Sequence, residues 1–135
     1  MSQQTLVLIK PDAVSRGLIG AVVSRLETKG LTIEEMRMRT MDASLADAHY
    51  AEHVDKPFYP PLKQFMTSGK LVAMIVSGDE AISVVRALAG ATDGRKAAPG
   101  TVRGDFSLSN RENLLHASDS EESAKREIAL WFGDA

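Results

Sequence analysis

Apolar residues fall along the chain in short clusters with two different periods. Thr5-Leu6-Val7-Leu8-Ile9 is an unbroken apolar and β-branched run. It predicts a strand buried on both faces, ended by Lys10-Pro11-Asp12 because proline cannot donate to a ladder. From Leu18 to Leu26 the spacing changes: Leu18, Ile19, Val22, Val23 and Leu26 recur with helical period, and Gly30 after Lys29 is a C-terminal stop. Leu31 to Thr40 alternates imperfectly and predicts a second strand. Ser44-Leu45-Ala46-Asp47 resembles a capping box opening a helix that reaches about Glu52.

Lys56-Pro57-Phe58-Tyr59-Pro60-Pro61 reads as a breaker before a short helix from Leu62 to Thr67. Leu71 to Val76 predicts the third strand. Gly78-Asp79 turns the chain into a helix with an apolar stripe of Ala81, Val84, Val85 and Leu88. Ala91 to Gly100 reads as a loop, and Thr101 to Asn113 has no period and is expected to be irregular. Leu114-Leu115-His116 predicts a short fourth strand, and Ser120 can cap a last helix ending near Phe132. The order β, α, β, α, α, β, α, loop, β, α predicts an α+β fold of the split βαβ kind, one sheet covered by helices.

A chain of 135 residues points to a single domain, 1–135, able to bury its own core. Hydrophobic residues at 44% and charged residues at 25% are an ordinary globular balance. The formal net charge of −2 argues against a general nucleic-acid binder, though local positive charge could hold a polyphosphate. With no cysteine, disulfide and thiol chemistry are excluded. No apolar run approaches the ~20 residues of a membrane span. Met1-Ser2-Gln3-Gln4 lacks the basic and apolar regions of a signal peptide, so a cytoplasmic protein is expected.

His116 is the first candidate for chemistry, because it ends a core strand just before a helix N-terminus that can favour anions. A buried histidine satisfied by one hydrogen bond is the alternative. Glu127 lies within the inward stripe Ala124, Ile128 and Trp131 of the last helix. A carboxylate there needs a partner. His116 is one, and fixing one ring nitrogen would free the other to attack. Glu127 could instead bend to solvent or pair with Lys125 or Arg126. Lys10, Arg86 and Arg103 could be solvated surface charges, or could converge on a polyphosphate. There is no Gly-x-x-x-x-Gly-Lys-Ser/Thr or Gly-x-Gly-x-x-Gly loop, so phosphate binding would rest on side chains. Phe58 and Tyr59 could stack on a base or close over the core. His49 and His53, four apart, lack a ligand set at zinc spacing.

Asn113-Leu114-Leu115-His116-Ala117-Ser118-Asp119 resembles the active-site signature of nucleoside diphosphate kinases. The opening Thr5 to Asp12, His49-Tyr50, Lys56-Pro57-Phe58, Pro99 to Asp105 and Glu127 to Phe132 match that family in order, so the resemblance spans the chain. It implies a ferredoxin-like sandwich with a four-stranded antiparallel sheet covered by helices. It implies γ-phosphoryl transfer from a nucleoside triphosphate, typically ATP, to a nucleoside diphosphate by a ping-pong route. His116 would attack through Nδ1, Glu127 would orient the ring, and Ser118 would place that carboxylate. Lys10 with Tyr50 would stabilise the moving phosphoryl group. Arg86, Thr92 and Arg103 would hold phosphates, with Mg2+ bridging them and no protein metal ligands of its own. Asn113 and Lys10 would reach the sugar, Phe58 would stack on the base and Leu62 would add apolar contact.

Some positions depart from the family's usual residues. Asn110 stands where an apolar contact is usual, Ala117 for glycine, Gly94 for proline, Lys56 for arginine, and Pro60-Pro61 in a stretch usually less rigid. Gly94 implies a looser loop. The family implies a homo-oligomer, with a hexamer favoured and a tetramer or dimer open, in which the loop from Ala91 to Gly100 takes part. Two other readings stand beside the kinase: a non-catalytic nucleotide-binding regulatory module, and a nucleic-acid-binding protein on the same sheet, which the net acidity disfavours.

Overall fold

The computed structural model describes residues 2–133; Met1, Asp134 and Ala135 lie outside them. The element order is β1 (Ser2–Ile9), α1 (Pro11–Ser15), α2 (Ile19–Lys29), β2 (Thr32–Thr40), α3 (Ala43–His49), α4 (Tyr59–Met66), β3 (Lys70–Asp79), α5 (Ala81–Ala89), α6 (Val102–Phe106), β4 (Leu115–Ala117) and α7 (Glu121–Phe132). The strands form one sheet in the order β2-β3-β1-β4 with every neighbouring pair antiparallel. That is the ferredoxin-like arrangement expected above.

Alternation along β1 sends Val7 and Ile9 to one side and Leu6 and Leu8 to the other. On the first side they meet Val22 and Leu26 of α2 and Ala81, Val85 and Ala89 of α5. On the second they meet Met41, Met66, Trp131 and Phe132. Both faces of β1 are therefore dry from Thr5 to Ile9, as its unbroken apolar run requires.

Several boundaries differ from the sequence expectation. β1 starts at Ser2, because its polar first residues pair through the backbone, Ser2 opposite Asp79, without needing apolar side chains. α3 is capped by Asp42, whose Oδ1 accepts the Leu45 N–H at 2.7 Å, so Ser44 is not the cap. α3 ends at His49, short of Glu52. Pro60 and Pro61 do not break the chain before α4. They occupy its first turn, where a missing N–H costs nothing because those donors have no helical partner. The segment from Thr101 to Asn113 contains α6, whose five residues are too few to show a period. Thr101 caps it by accepting the Gly104 N–H.

The strand expected at Leu114 begins one residue later, since Leu114 has φ 77° and cannot extend a ladder. The loop around Gly94 is packed, contrary to the looseness expected. A Cβ at Gly94 would stand 2.4 Å from Ser107, and its N–H donates to Ser109 O at 3.0 Å. Glycine is there for close approach rather than for freedom.

Candidate functional site

β4 pairs with the end of β1, and Leu8 lies opposite His116. The pleat therefore puts His116 on the Leu8 face, the one covered by α7, while Leu115 and Ala117 enter the opposite core. Within α7, Ala124, Glu127 and Trp131 are buried together. This brings Glu127 Oε1 to 2.9 Å from His116 Nε2. The alternatives for Glu127 are thus resolved: it faces inward, and Arg126 reaches only its other oxygen, at 3.8 Å.

An ionised carboxylate can only accept, so Nε2 carries the hydrogen when the ring is neutral. Nδ1 is then a bare lone pair. The ring lines a pocket with its side chain 22% exposed. Ser118 is fully buried behind the pair. Its hydroxyl donates to Glu127 Oε1 at 2.8 Å and accepts from the Leu6 N–H at 3.2 Å, tying the carboxylate to β1.

The three cations named from sequence do converge. Lys10, Arg86 and Arg103 line the pocket that His116 lines. Lys10 is not a solvated surface charge: it is buried, and its Nζ donates to Asn113 Oδ1 at 2.7 Å. Burial lowers the Lys10 ammonium to about 8, with the Arg103 charge acting the same way and Asp12 opposing both. Burial and the Arg86 charge lower Arg103 to about 10. Like charges held this close and this dry are a standing cost that a polyphosphate would remove. Arg103 also has a framing role, donating to the carbonyls of Asn113, Gly90 and Leu115 at 3.1, 3.0 and 2.6 Å. Arg86 donates to Ala117 O at 3.1 Å.

The Lys10 pKa has a kinetic consequence. In the free enzyme Lys10 is charged below pH 8 and loses its charge above it, so kcat/KM should fall on an alkaline limb near pH 8. Bound phosphates favour the ammonium, so the limb in kcat should lie higher. Rates measured from pH 6 to 10 check this; coincident limbs would remove Lys10 as their source.

Tyr50 is buried, and burial, then the Glu127 charge, raises its phenol, so it stays a donor. Thr92 and Asn113 line the same pocket. Asn113 is buried, and its Nδ2 donates to the carbonyls of Thr92 and Asn110, which leaves Oδ1, already facing Lys10, as its outward group. At the other end stand Phe58, 50% exposed, and Leu62. Phe58 is half exposed with the His53 ring 5.4 Å away, whereas Tyr59 packs into the core and donates to Asp47. Asn110 lines the pocket as an exposed polar group.

His49 is the residue that the sequence reading missed. It lines the pocket with its ring 4.7 Å from the His116 ring, edge to face. Trp131 Nε1–H donates to its Nδ1 at 3.0 Å. An indole N–H only donates, so the neutral His49 carries its hydrogen on Nε2. Burial, then the charge of His116, holds His49 far below the usual histidine range. His49, His116 and Glu127 could be taken for a metal cluster, since one ligand atom from each lies within 4.8 Å of the others. The Trp131 hydrogen bond opposes that, because it occupies one lone pair of His49 and leaves a proton on the other nitrogen. A buried tryptophan one turn beyond Glu127 needs an acceptor, and that was the available signal.

The model of the family described as "Nucleoside diphosphate kinase" matches residues 3–135. A nucleoside diphosphate kinase of Nocardioides sp. is 68% identical over 132 residues, covering 98% of each chain. One of Mycobacterium tuberculosis is 59% identical over 136 residues, covering 100% of both. The halophilic nucleoside diphosphate kinase of Halobacterium salinarum, solved in complex with CDP, superposes with a TM-score of 0.95 at 50% identity, over 98% of this chain and 88% of that one. With family model, relatives and fold in agreement along its whole length, the chain belongs to the nucleoside diphosphate kinase family.

Proposed function

We propose that this kinase works as one domain, residues 1–135, and moves the γ-phosphoryl group through a phosphohistidine on His116. The observation that carries the reading is a histidine with one nitrogen held by Glu127, in the pocket where Lys10, Arg86 and Arg103 meet. His116 Nδ1 attacks the γ-phosphorus of a nucleoside triphosphate. The N–P bond forms as the bond to the β–γ bridging oxygen breaks, and that oxygen leaves with the diphosphate. The ring gains positive charge, which Glu127 offsets through the Nε2 hydrogen. A second nucleoside diphosphate then attacks the same phosphorus, and His116 leaves.

Lys10 and the Tyr50 hydroxyl meet charge on the transferring oxygens. Arg86, Thr92 and Arg103 hold the remaining phosphates, and Lys10 with Asn113 reaches the sugar. Phe58 stacks on the base with Leu62 beside it. A π-face is common to all bases, which supports broad nucleotide use. Mg2+ fits as an ion carried by the nucleotide, because Mg2+ is usually held by one or two carboxylates plus phosphates. Against the expectation of no protein ligand, Asp119 is one pocket carboxylate that would help to hold it: it lies near Arg86, and hydrogen bonds from Ser123 and Ser120 favour its charge. The ion would neutralise phosphate charge.

Initial rates with two nucleotides test the route. Parallel double-reciprocal lines are expected, because the diphosphate leaves before the acceptor arrives. Intersecting lines would require both nucleotides at once and would defeat the proposal. Turnover of any kind would dispose of the regulatory-module reading.

The chain is further proposed to be cytoplasmic; among the described residues no helix is long and apolar enough to cross a membrane. Self-association is supported by β2, an edge strand exposing Met36 and Met38 at 46% and 53%. Leu108, 86% exposed beside the loop from Ala91 to Gly100, offers a further apolar contact. A hexamer is the expected mass in sedimentation, and a monomer at working concentration would contradict it.

A further inference from the structure

Two residues ahead of His116 the backbone is strained. Leu114 has φ 77°, a conformation that bulky side chains avoid. The Leu115 N–H donates to Asn113 O at 2.9 Å across it, closing a three-residue γ-turn of the rare φ-positive kind. Leu114 is fully buried, so the turn cannot relax outward. Such a conformation persists only when its surroundings over-determine it.

Three side chains or their backbones hold it. Lys10 N–H donates to Leu114 O at 2.8 Å. Arg103 donates to Asn113 O and Leu115 O, the carbonyls on either side. Asp12 Oδ2 accepts the Leu114 N–H at 3.2 Å. Lys10 and Arg103 also line the pocket, but Asp12 does not.

Asp12 is buried, and its Oδ1 has no hydrogen-bond partner among the described residues. A half-satisfied buried carboxyl is a poor contributor to stability. The N–H groups of Asp12 and Ala13 at the start of α1 favour its charge locally, while its bond to Leu114 reaches across to the segment ahead of His116.

We propose that Asp12 is a positioning residue for phosphoryl transfer: its Oδ2 holds the strained turn at Leu114 and through it the aim of His116. The inference rests on His116 being the phosphoryl carrier. It adds that a carboxyl outside the pocket, in the first turn of α1, sets the geometry of attack. Asp12 also faces Lys10, on which the charge of Arg103 from α6 acts in the opposite sense; Asn113 Oδ1 accepts from Lys10, and the neutral His49 lies within electrostatic reach of it.

The test compares Asp12→Ala with Asp12→Asn in the intact enzyme. Single-turnover phosphorylation of His116 by ATP and the Kd for ADP are measured from pH 6 to 10. In Asp12→Ala the transfer rate at saturating ATP should fall about tenfold to a hundredfold, the cost of a reacting group misplaced by about 1 Å. ADP affinity should change far less.

Asp12→Asn keeps an oxygen for the Leu114 N–H and should transfer within about threefold of wild type at neutral pH. Its alkaline limb should move to lower pH, because Lys10 has lost a negative neighbour. A purely structural role would lower the melting temperature of both variants and leave that contrast absent. Wild-type transfer by Asp12→Ala, or equal slowing by both variants, overturns the inference. If Asp12→Ala does not fold, Asp12→Asn decides alone: near-normal transfer with a shifted limb supports it, and slow transfer overturns it. A wild-type enzyme that never labels His116 would instead overturn the proposed function.

Discussion

Replacing His116 with alanine should lower nucleotide exchange by on the order of 10⁴-fold or more, while leaving nucleotide binding almost intact. The pocket groups nearest to it are poorly disposed to take its place. His49 is near enough, but its Nδ1 is occupied by Trp131, its Nε2 carries hydrogen, and its burial keeps it neutral. Tyr50 stays protonated, and Lys10 is tied to Asn113. The proposed phosphate and base contacts come from other elements, so the Kd for ADP should stay within a few-fold of wild type. Calorimetric titration beside steady-state exchange separates the two. Substantial turnover by the variant would mean that the nucleophile lies elsewhere.

Arg103→Ala should have the second largest effect, and on two properties at once. The guanidinium serves the carbonyls of Gly90, Asn113 and Leu115 and also contributes charge to the pocket. Asn113 O keeps the Leu115 N–H, but the carbonyls of Gly90 and Leu115 lose a donor at about 1–3 kcal/mol each, so a loss of roughly 2 kcal/mol or more is expected. Transfer should fall by about 10²- to 10³-fold as phosphate stabilisation is lost. Arg103→Lys should recover only part of either. A single ammonium cannot span three carbonyls in different directions. Thermal melting and kcat/KM on the same preparations check both, and a variant that loses activity with unchanged melting would show that the framing bonds contribute little.

The part of the fold set by side-chain period was readable in advance. β1 from Thr5 onward, α2 with its Gly30 stop, β3, α5 and α7 all carry an apolar pattern long enough to identify. What escaped were pieces decided by backbone chemistry. α1 and α6 span five residues each, too short for a period to develop. Pro60 and Pro61 looked like a barrier because proline usually stops a helix, yet the first turn has no need of their N–H groups. Ser44 gave way to Asp42 because the cap is chosen by where the chain leaves β2.

The site divides the same way. His116 and Glu127 were linked through a carboxylate on an apolar helix face, and the ring and carboxylate do meet. The meeting of Lys10, Arg86 and Arg103 depends on the β1–β4 pairing and on α5 packing on β4 with α6 beside it, so only the family resemblance anticipated it. His49 and Asp12 were passed over, because one belongs through Trp131 and the other through a turn at Leu114. Neither relation leaves a local pattern.

The most direct test is to isolate the enzyme after brief incubation with γ-labelled ATP and map the label. The account predicts an acid-labile, base-stable phosphoryl group on Nδ1 of His116, discharged on addition of a nucleoside diphosphate and absent from His116→Ala. Label on another residue, or active enzyme that never becomes labelled, would contradict it.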